Sequence, residues 1–407
     1  MTAMRSVDEA LAEITRAAQP LSPETVAIGD AADRVLAADV VAAITQPPFR
    51  ASAMDGYAIR SPDAAPGARL HVIGVSAAGS PFRGRVGPSQ AVRIYTGAVA
   101  PDGADRILVQ EEALVENDCV VIAVPQTGGT NIREAGIDFS VGAVLKRRGA
   151  RLSAIDLGLI ASSNVSTVSV SRRPLVAYFD NGDELVEPGA ALEEGRIVGS
   201  NRFALEALVA AWGGSPRYLG RAADDPREVR RKFAEAAGAD VVVAVGGASV
   251  GDHDYVRRAF EDAGGKIAFT KVSVKPGKPT WFGRLDGACV IGLPGNPASS
   301  IVCAILFVKP LIAGLLGESA RGGAICASLS APTKENGARE SYLRGQLIGD
   351  RTGRLMVTPF VKEDSSLMTP LALGNCLIRR PANAPAAAAG EVVDCIPYGA
   401  IAAGGAE

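Results

Sequence analysis

The chain has 407 residues and a formal net charge of −2; 47% of its residues are hydrophobic and 21% are charged. The length predicts more than one domain, and the composition is that of a globular protein with sizeable cores. The charge balance excludes a global basic field for nucleic acid.

The first half of the chain predicts a helical unit that is interrupted by a β-rich one. Residues 6–18 have helical spacing of apolar side chains and a Ser6/Glu9 capping box; a strand at 25–28 and a helix at 30–36 follow. Residues 46–145 consist of short alternating segments rich in glycine and proline, and a helical pattern returns at 153–161. We therefore predict an inserted β-rich domain (46–145) within a discontinuous helical base domain (1–45 and 146–171), whose two segments pack together.

Residues 172–323 alternate strands and helices, which predicts a central parallel α/β domain. Strands are expected at 175–179, 217–219, 241–245, 266–270 and 290–293, and helices begin at about 200, 225, 254 and 297. Residues 324–407 return to short β segments and predict a C-terminal β-barrel domain. The predicted fold class is multidomain α/β plus β.

The positions of the cysteines, the histidines and the apolar segments exclude several classes of protein. The six cysteines lack CxxC spacing, so we expect reduced, buried thiols in a soluble, cytoplasmic protein. Two histidines, His71 and His253, exclude a His-rich zinc site. The N-terminus has no signal-peptide pattern, and the longest apolar segment, 301–308, is too short to span a bilayer.

Acidic residues follow three strands of the predicted sheet. They are Asp180, Asp183, Glu184, Asp224, Asp225, Asp252 and Asp254. The carboxyl ends of parallel strands meet at one edge, so these side chains are expected to lie together, in a cluster that suits Mg²⁺ bridging to phosphate. The alternative is that Asp225 and Asp252 or Asp254 only cap the helices that follow them.

A glycine-rich turn follows the strand at 241–245. Its residues Gly246, Gly247, Ser249 and Gly251 would let backbone N–H groups approach an anion closely. It matches neither a Walker A motif nor a dinucleotide fingerprint. The alternative is an ordinary tight turn between strand and helix.

A second anion site is predicted where Asn296-Pro297 begins a helix. An N-cap asparagine before proline would leave the N–H groups of residues 298–300 free, with the helix dipole behind them. Lys275 and Lys278 lie in a proline-bounded turn upstream and would complete an oxyanion clamp. The alternative is two ordinary surface lysines.

Jointly, these motifs resemble the molybdopterin molybdenumtransferase (MoeA) family, which also includes the E domain of gephyrin. The resemblance covers essentially the whole chain, in the family's order. It rests on residues 54–58 (Met-Asp-Gly-Tyr-Ala), 96–98 (Thr-Gly-Ala), 182–185 (Gly-Asp-Glu-Leu), 246–255, 276–279 (Pro-Gly-Lys-Pro) and 292–299 (Gly-Leu-Pro-Gly-Asn-Pro-Ala-Ser). Alone, the loops at 54–58 and 96–98 indicate only turn chemistry.

The resemblance implies four domains and an elongated homodimer, with each site shared between subunits. It implies an enzyme of molybdenum cofactor biosynthesis that inserts molybdenum from molybdate into adenylylated molybdopterin, with Mg²⁺-dependent release of AMP. The substrate carries the dithiolene sulfurs, so no protein cysteine is needed. No nucleic-acid or membrane partner is implied.

Site roles follow from the resemblance. The implied catalytic residues are Asp55, Thr96, Asp138, Asp183, Glu184, Asp225 and Asp254, with Asp55, Thr96 and Asp138 closing the site from the partner subunit. The implied substrate-binding residues are Gly246, Gly247, Ser249, Gly251, Pro294, Asn296 and Pro297. Molybdate would be held by Lys275, Lys278, Ser299, Arg344 and Ser365, and Mg²⁺ by Glu184, Asp225, Asp252 and Asp254.

One departure from the family lies at Asp180-Asn181, where relatives usually have hydroxyl-bearing residues before Gly-Asp-Glu-Leu. The added carboxylate is either a tolerated loop substitution or the mark of a paralogue with altered ligand affinity. Two other functions stay open: a non-catalytic molybdopterin-binding or scaffold protein, and a hydrolase of another nucleotide pyrophosphate.

Overall fold

A computed structural model describes residues 4–247, 255–319, 323–350 and 352–403. Along the chain it has a base with an insertion, an α/β unit and a C-terminal barrel, which confirms the multidomain α/β plus β class. Separate clusters of buried apolar side chains lie in the base, the insertion, the α/β unit and the barrel.

The described residues of the base segments form two short antiparallel strand pairs and two helices. The elements are α1 (Val7–Ala17), β1 (Pro23–Ala27), β2 (Val40–Val41), β11 (Val144–Lys146), α2 (Ala154–Ser162) and β12 (Thr167–Ser171). β1 pairs with β12, and β2 with β11. The helix predicted at 30–36 is wrong: only a 3₁₀ turn forms at Ile28–Asp30, and Asp33 adopts a left-handed φ of 59° that a helix does not allow.

Helix α1 contacts residues that lie far along the chain from it. The Ser6/Glu9 capping box forms as predicted, with Ser6 Oγ 3.1 Å from Glu9 N and Glu9 Oε2 2.8 Å from Ser6 N. Its buried residues Val7, Ala10 and Ile14 belong to the core of the α/β unit. The first helix therefore packs in a cluster that contains residues of the α/β unit and also Val35 of the base.

The insertion is β-rich, as predicted. Its elements are β3 (Ala51–Ser52), β4 (Gly56–Ile59), β5 (Arg69–Ser76), β6 (Gln90–Ile94), β7 (Arg106–Val109), β8 (Ala113–Glu116), β9 (Cys119–Ile122) and β10 (Ile132–Arg133). A six-stranded sheet runs in the order β7-β4-β6-β5-β9-β8. Two apolar clusters form from alternating residues of these strands, with Tyr57 in one and Ala58 in the other.

The α/β unit holds a six-stranded sheet in the order β16-β13-β17-β21-β20-β18. The strands of the whole unit, including three outside this sheet, are β13 (Leu175–Asn181), β14 (Leu185–Val186), β15 (Ile197–Val198), β16 (Ser215–Ala222), β17 (Val241–Val245), β18 (Lys266–Phe269), β19 (Val274–Lys275), β20 (Trp281–Leu285) and β21 (Ala288–Leu293). Its helices are α3 (Asn201–Ala211), α4 (Pro226–Glu235), α5 (Tyr255–Asp262), α6 (Pro297–Cys303) and α7 (Lys309–Leu315).

The sheet is parallel only in part. β16, β13, β17 and β21 are parallel, whereas β20 pairs antiparallel with both β21 and β18. The sequence prediction missed β20, although Asp286-Gly287 forms a two-residue hairpin turn with φ of 47° and 87°. Every residue of β17 is buried, as its unbroken apolar run predicts, so the polar loops gather at the strand ends.

The C-terminal unit closes into a barrel. Its elements are β22 (Ile325–Leu329), β23 (Glu340–Gly349), β24 (Leu355–Pro359), α8 (Thr369–Leu373), β25 (Cys376–Arg380), β26 (Val392–Pro397) and β27 (Ala402–Ala403). The long strand β23 pairs with β24 on one side and β25 on the other, which closes the ring. β19 pairs in parallel with β23, so the strand that carries Lys275 is held by the barrel.

Helices α6 and α7 continue one another through a π-helical turn at Ala304–Val308. The resulting helix, Pro297–Leu315, is long and apolar enough to cross a membrane, and it is longer than the apolar segment that the sequence singled out. However, 78% of its most apolar window is buried inside the protein. It is therefore packed as a core helix.

Candidate functional site

A cavity of about 300 Å³ opens at the carboxyl ends of the parallel strands. It is lined by Asp180, Asn181, Glu184, Leu185, Ile197, Val198, Gly199, Ser200, Asn201, Val245, Pro279, Pro294, Gly295, Asn296 and Pro297. This is the edge of the sheet at which α/β proteins bind ligands. Of the predicted substrate-binding residues, Pro294, Asn296 and Pro297 line this strand-end pocket.

Two of the predicted acids meet beside this pocket. The backbone N–H of Asp183 donates to Asp224 Oδ2, and that of Asp224 donates to Asp183 Oδ1, both at 3.3 Å. The Glu184 side chain folds back over Gly182, where a Cβ would lie 2.8 Å from its carboxyl carbon. The ends of β13 and β16 therefore present carboxylates side by side, and both Asp183 and Glu184 are exposed.

Asp225 serves as a helix cap. Its Oδ1 accepts from Arg227 N at 2.8 Å, before Pro226 at the first position of α4. Asp252 and Asp254 lie outside the described residues, as do Ser249 and Gly251. Among the residues that are described, no group of three or more His, Cys, Asp or Glu side chains could hold a metal ion.

The glycine turn is set by close packing against β13. Gly246 and Gly247 have φ of 89° and 63°, which other residues rarely adopt. A Cβ at Gly246 would lie 2.5 Å from the Asn181 carbonyl oxygen, and one at Gly247 would collide with the Asn181 amide oxygen. Asn181 in turn donates to the carbonyls of Ala222 and Ala223, at 3.2 and 3.0 Å. It therefore joins three strand ends.

Asp180 is buried at the end of β13, with 4% of its surface exposed. Tyr218 Oη donates to its Oδ2 at 3.3 Å, a long hydrogen bond. Burial raises the pKa of Asp180 to about 6, because the hydrogen bond from Tyr218 and the charge of Arg202 offset only part of the desolvation.

The N-terminus of helix α6 differs from its prediction. The N–H groups of Ala298 and Ser299 both donate to the Ser365 carbonyl, at 3.0 and 3.3 Å, and that of Ser300 bonds to the Asn296 carbonyl. Asn296 makes no side-chain cap; its Nδ2 donates to Ser365 Oγ at 2.8 Å. The prediction of free N–H groups is therefore wrong, because a loop of the C-terminal unit occupies them.

The lysine turn lies against α6. Gly277 has a φ of 114°, a Cβ there would collide with Cys303 Sγ, and Thr280 Oγ1 donates to the Gly277 carbonyl at 2.8 Å. Lys275 is half exposed, with Nζ 3.6 Å from Glu363 Oε2. Pro279, at the end of the same turn, lines the strand-end pocket. The turn thus connects the pocket to a half-exposed lysine that is paired with Glu363.

Arg344 organises the loop that carries Ser365. It is 2% exposed, and its Nη2 donates to the carbonyls of Lys362 and Asp364, both at 3.2 Å. Burial lowers the pKa of this guanidinium. Arg344 therefore positions the loop from within the barrel, while Ser365 reaches α6. Ser299 is buried at the same junction.

Asp55 and Thr96 form a pair within the insertion. Asp55 Oδ1 accepts from both the backbone N–H and the hydroxyl of Thr96, at 2.7 Å each. These bonds hold the pKa of Asp55 below its ordinary value. The N–H of Asp138 donates to the Gln46 carbonyl, and its side chain is exposed. Sequence motifs 41 residues apart are thus brought together.

Three residues that contact the candidate site were not predicted from the sequence. Asn201 Nδ2 donates to the Gly295 carbonyl at 2.8 Å, which ties α3 to the turn before α6. Tyr218 contacts Asp180, and Glu363 pairs with Lys275. The position of Asn201 at the start of a helix beside the strand ends was a usable signal, whereas nothing local to Tyr218 or Glu363 points to the site.

Three family models match successive parts of the chain. The MoeA N-terminal region (domains I and II) matches residues 5–163, a probable molybdopterin binding domain matches 180–314, and the MoeA C-terminal region (domain IV) matches 327–398. The strand-end pocket and the lysine turn fall within the second of these regions, and Ser365 falls within the third.

Full-length relatives agree with the family models. The molybdopterin molybdenumtransferase of Haemophilus influenzae is 34% identical over 383 residues, covering 93% of this chain and 95% of that protein. That of Bacillus subtilis is 33% identical over 406 residues, covering 96% and 93%. The structure of a molybdopterin biosynthesis MoeA protein from Pyrococcus horikoshii superposes with a TM-score of 0.83 at 27% identity, over 97% of this chain and 100% of that one.

Proposed function

This chain belongs to the molybdopterin molybdenumtransferase (MoeA) family, a family of transferases of molybdenum cofactor biosynthesis, and on that premise we propose that it transfers molybdenum from molybdate to adenylylated molybdopterin and releases AMP. The observation that carries the proposal is the lysine turn. It borders the strand-end pocket through Pro279 and presents Lys275 next to the C-terminal loop. In this proposal, the strand-end pocket binds the organic substrate and the lysine turn beside it binds the small oxyanion.

Molybdate is a tetrahedral dianion, and ammonium groups and hydroxyls are suitable partners for it. Lys275 and Lys278 supply the charge, and the Ser365 hydroxyl supplies a hydrogen bond beside Asn296. Arg344 acts indirectly by fixing the loop of Ser365, and Ser299 through its backbone bond to that residue. Binding then depends on a junction between the α/β unit and the barrel.

Mg²⁺ is the metal that we propose for the phosphate end of the substrate. The donor chemistry fits, because Asp183 and Asp224 bring carboxylates from two strand ends together, and Mg²⁺ binds few protein carboxylates besides water and phosphate. Glu184, Asp225 and the acids at positions 252 and 254 are the further ligands in this proposal, and Asp225 also caps α4 through its Oδ1. When bound, the ion would neutralise phosphate charge and polarise a water.

We further propose that the enzyme is a homodimer that acts in the cytoplasm, with each site closed by Asp55 and Thr96 of the partner subunit. Within the described part of the chain, the Asp55 carboxylate accepts hydrogen bonds only from Thr96 of its own domain, and these bonds hold it ionised next to exposed Thr96. A charged group fixed in this way, but outside the strand-end pocket of its own chain, suits a contribution across an interface. The six unpaired cysteines suit a reducing compartment.

AMP release tests the reaction. Purified protein is incubated with adenylylated molybdopterin, Mg²⁺ and molybdate, and AMP is quantified by chromatography; parallel reactions omit molybdate or Mg²⁺. We expect AMP in the complete reaction and little without either component. Tight binding of the adenylylated substrate without AMP release would overturn the enzymatic proposal and favour a scaffold.

Mixed dimers test the shared site. Asp55→Ala and Asp183→Ala chains with different affinity tags are co-expressed, and heterodimers are isolated through both tags. If the two residues act in one site across the interface, each heterodimer contains one intact site and recovers about half of the wild-type rate. Activity as low as in either parent homodimer would contradict the arrangement.

A further inference from the structure

The strand-end pocket contains a carboxylate with few partners. Asp180 is 4% exposed, and within the described part of the chain its carboxylate accepts one hydrogen bond, the 3.3 Å bond from Tyr218. A carboxylate has lone pairs for about four donors, and burying it without them is unfavourable. Asp180 lines the pocket, so its open lone pairs are available to a ligand there.

Two amide oxygens at the same pocket are also without donors. Asn181 Oδ1 and Asn201 Oδ1 are buried and, among described residues, have no hydrogen-bond partner. Their Nδ2 groups are used, the first on Ala222 and Ala223 and the second on Gly295, which fixes the orientation of both side chains. Among the described residues that line the pocket, the buried side-chain atoms without a hydrogen-bond partner are thus both acceptors.

Arg202, whose charge acts on Asp180, makes its contacts elsewhere. Arg202 pairs with Glu187 and stacks on the rings of Phe203 and Tyr218, 4.2 and 4.9 Å from their centroids. Its charge lowers the pKa of Asp180, but among the described contacts it donates no hydrogen bond to the Asp180 carboxylate. The walls of the pocket include apolar side chains, namely Leu185, Ile197, Val198 and Val245.

We propose that Asp180 is the specificity-determining residue for the heterocycle, and that its carboxylate, supported by Asn181 and Asn201, accepts the adjacent N–H groups of a 2-amino-4-oxopyrimidine edge. This inference rests on the proposed function, in which the substrate has such an edge on its pterin ring. A ring N–H beside an exocyclic amine presents two parallel donors, which a carboxylate accepts together as it does from guanidinium. A volume of about 300 Å³ is at the lower end of ligand pockets and suits a bicyclic ring.

The geometry gives a specificity that can be measured. Guanine has the same edge as pterin, whereas adenine places a ring acceptor next to its amine and would meet the carboxylate with a lone pair. An asparagine at position 180 has one acceptor and one donor, the pattern that pairs with adenine. Asp180→Asn should therefore reverse the preference between the two kinds of ring.

The experiment measures dissociation constants by calorimetry for 6-hydroxymethylpterin, GMP and AMP, with wild type, Asp180→Asn and Asn201→Ala. We expect wild type to prefer pterin and GMP over AMP, and Asp180→Asn to lose roughly 10- to 100-fold of its pterin and GMP affinity and to gain relative affinity for AMP. Asn201→Ala should weaken pterin binding several-fold and retain the preference. Glu206→Gln is the matched control: it replaces a nearby acid on α3 that bonds to Tyr178 and does not line the pocket.

Equal ratios of GMP to AMP affinity in wild type and Asp180→Asn would overturn the inference, and so would a purely global loss of binding that Glu206→Gln reproduces. GMP binding without pterin binding would also overturn it, because the pocket would then belong to a guanine nucleotide. Failure of the proposed function has a different signature, since wild type would release no AMP while still preferring pterin. If Asp180→Asn fails to fold, the Asn201→Ala series and the wild-type preference decide the question.

Discussion

Asp55 in the insertion and Asp180 in the α/β unit are two carboxylates in opposite environments. Asp55 receives two bonds of 2.7 Å from Thr96, and its pKa is lowered. Asp180 is buried and, in the described part of the chain, accepts one bond of 3.3 Å; its pKa is raised to about 6. Asp55 thus has two close hydrogen-bond donors, whereas the described residues give Asp180 one distant donor. In our proposals, Asp55 contributes its charge to the site of the partner subunit, whereas Asp180 accepts hydrogen bonds from the ligand in its own strand-end pocket.

The largest expected effect is on turnover. Asp55→Ala should lower the rate of AMP release by roughly 100-fold or more, since a positioned charge at the reacting groups is lost. The thermal transition should change little, because the side chain is not part of an apolar core. Asp118→Ala, at an exposed turn of the same domain, is the control. Loss of activity that parallels unfolding would remove Asp55 from the site.

The lysine turn provides a second comparison, because in our proposal it binds molybdate and has no part in the roles of Asp55 and Asp180. Lys275→Ala should raise the molybdate concentration at half-maximal rate about tenfold, while the affinity for 6-hydroxymethylpterin stays the same. Glu363→Gln releases Lys275 from its 3.6 Å partner and should lower that concentration roughly twofold. The measurement is AMP release against molybdate concentration. Equal effects on pterin and molybdate would contradict the division between the two subsites.

Stability against pH separates the two acids further. The folded-state pKa of Asp180, about 6, lies above its ordinary value of 3.8, so ionisation of this group opposes folding as pH rises through that interval. Asp180→Asn should therefore be more stable than wild type at pH 8, by up to roughly 3 kcal/mol, and the difference should disappear below about pH 4. Urea unfolding at several pH values measures it. A constant difference at every pH would show that ionisation plays no part.

Asp55 should show the opposite sign and a smaller effect. Its pKa is lowered by the two bonds from Thr96, so its charged form supports folding above the ordinary value of 3.8 and this support is lost as pH falls through the lower folded-state pKa. Asp55→Asn should be slightly less stable than wild type at pH 7 and equal to it in strong acid. The same urea series measures this variant. Stabilisation at neutral pH would contradict the difference between the two environments.

The sequence predicts those features of the fold that local patterns of residues determine. The buried strand Val241–Val245, the cap of α4 by Asp225 and the barrel strands follow from apolar periodicity and turn residues, and each lies where it was predicted. The N-terminus of α6 was mispredicted because its N–H groups bond to Ser365, in another domain and far along the chain. No local rule reports such a partner.

The site shows the same limit. The motif residues Asp183, Asn296 and Lys275 lie at the strand ends or on the adjoining turn, but their partners Asp224, Ser365 and Glu363 depend on how loops from different units meet. The sequence identified Asp180-Asn181 as unusual, but the role that we propose for Asp180 depends on its burial and on its single hydrogen-bond donor among the described residues, and no local pattern shows either of these. Asp252 and Asp254, outside the described residues, stay predictions.

The most direct measurement follows AMP and molybdenum in one reaction. Wild-type protein is supplied with adenylylated molybdopterin, Mg²⁺ and molybdate; released AMP is quantified by chromatography, and molybdenum bound to the pterin is measured by elemental analysis after molybdate is removed. If AMP release and metal insertion are steps of one reaction in this site, the two quantities rise together in a 1:1 ratio, and both stop in Asp55→Ala. AMP release that proceeds equally without molybdate, or without molybdenum in the product, would contradict a molybdenum transferase and indicate a pyrophosphate hydrolase.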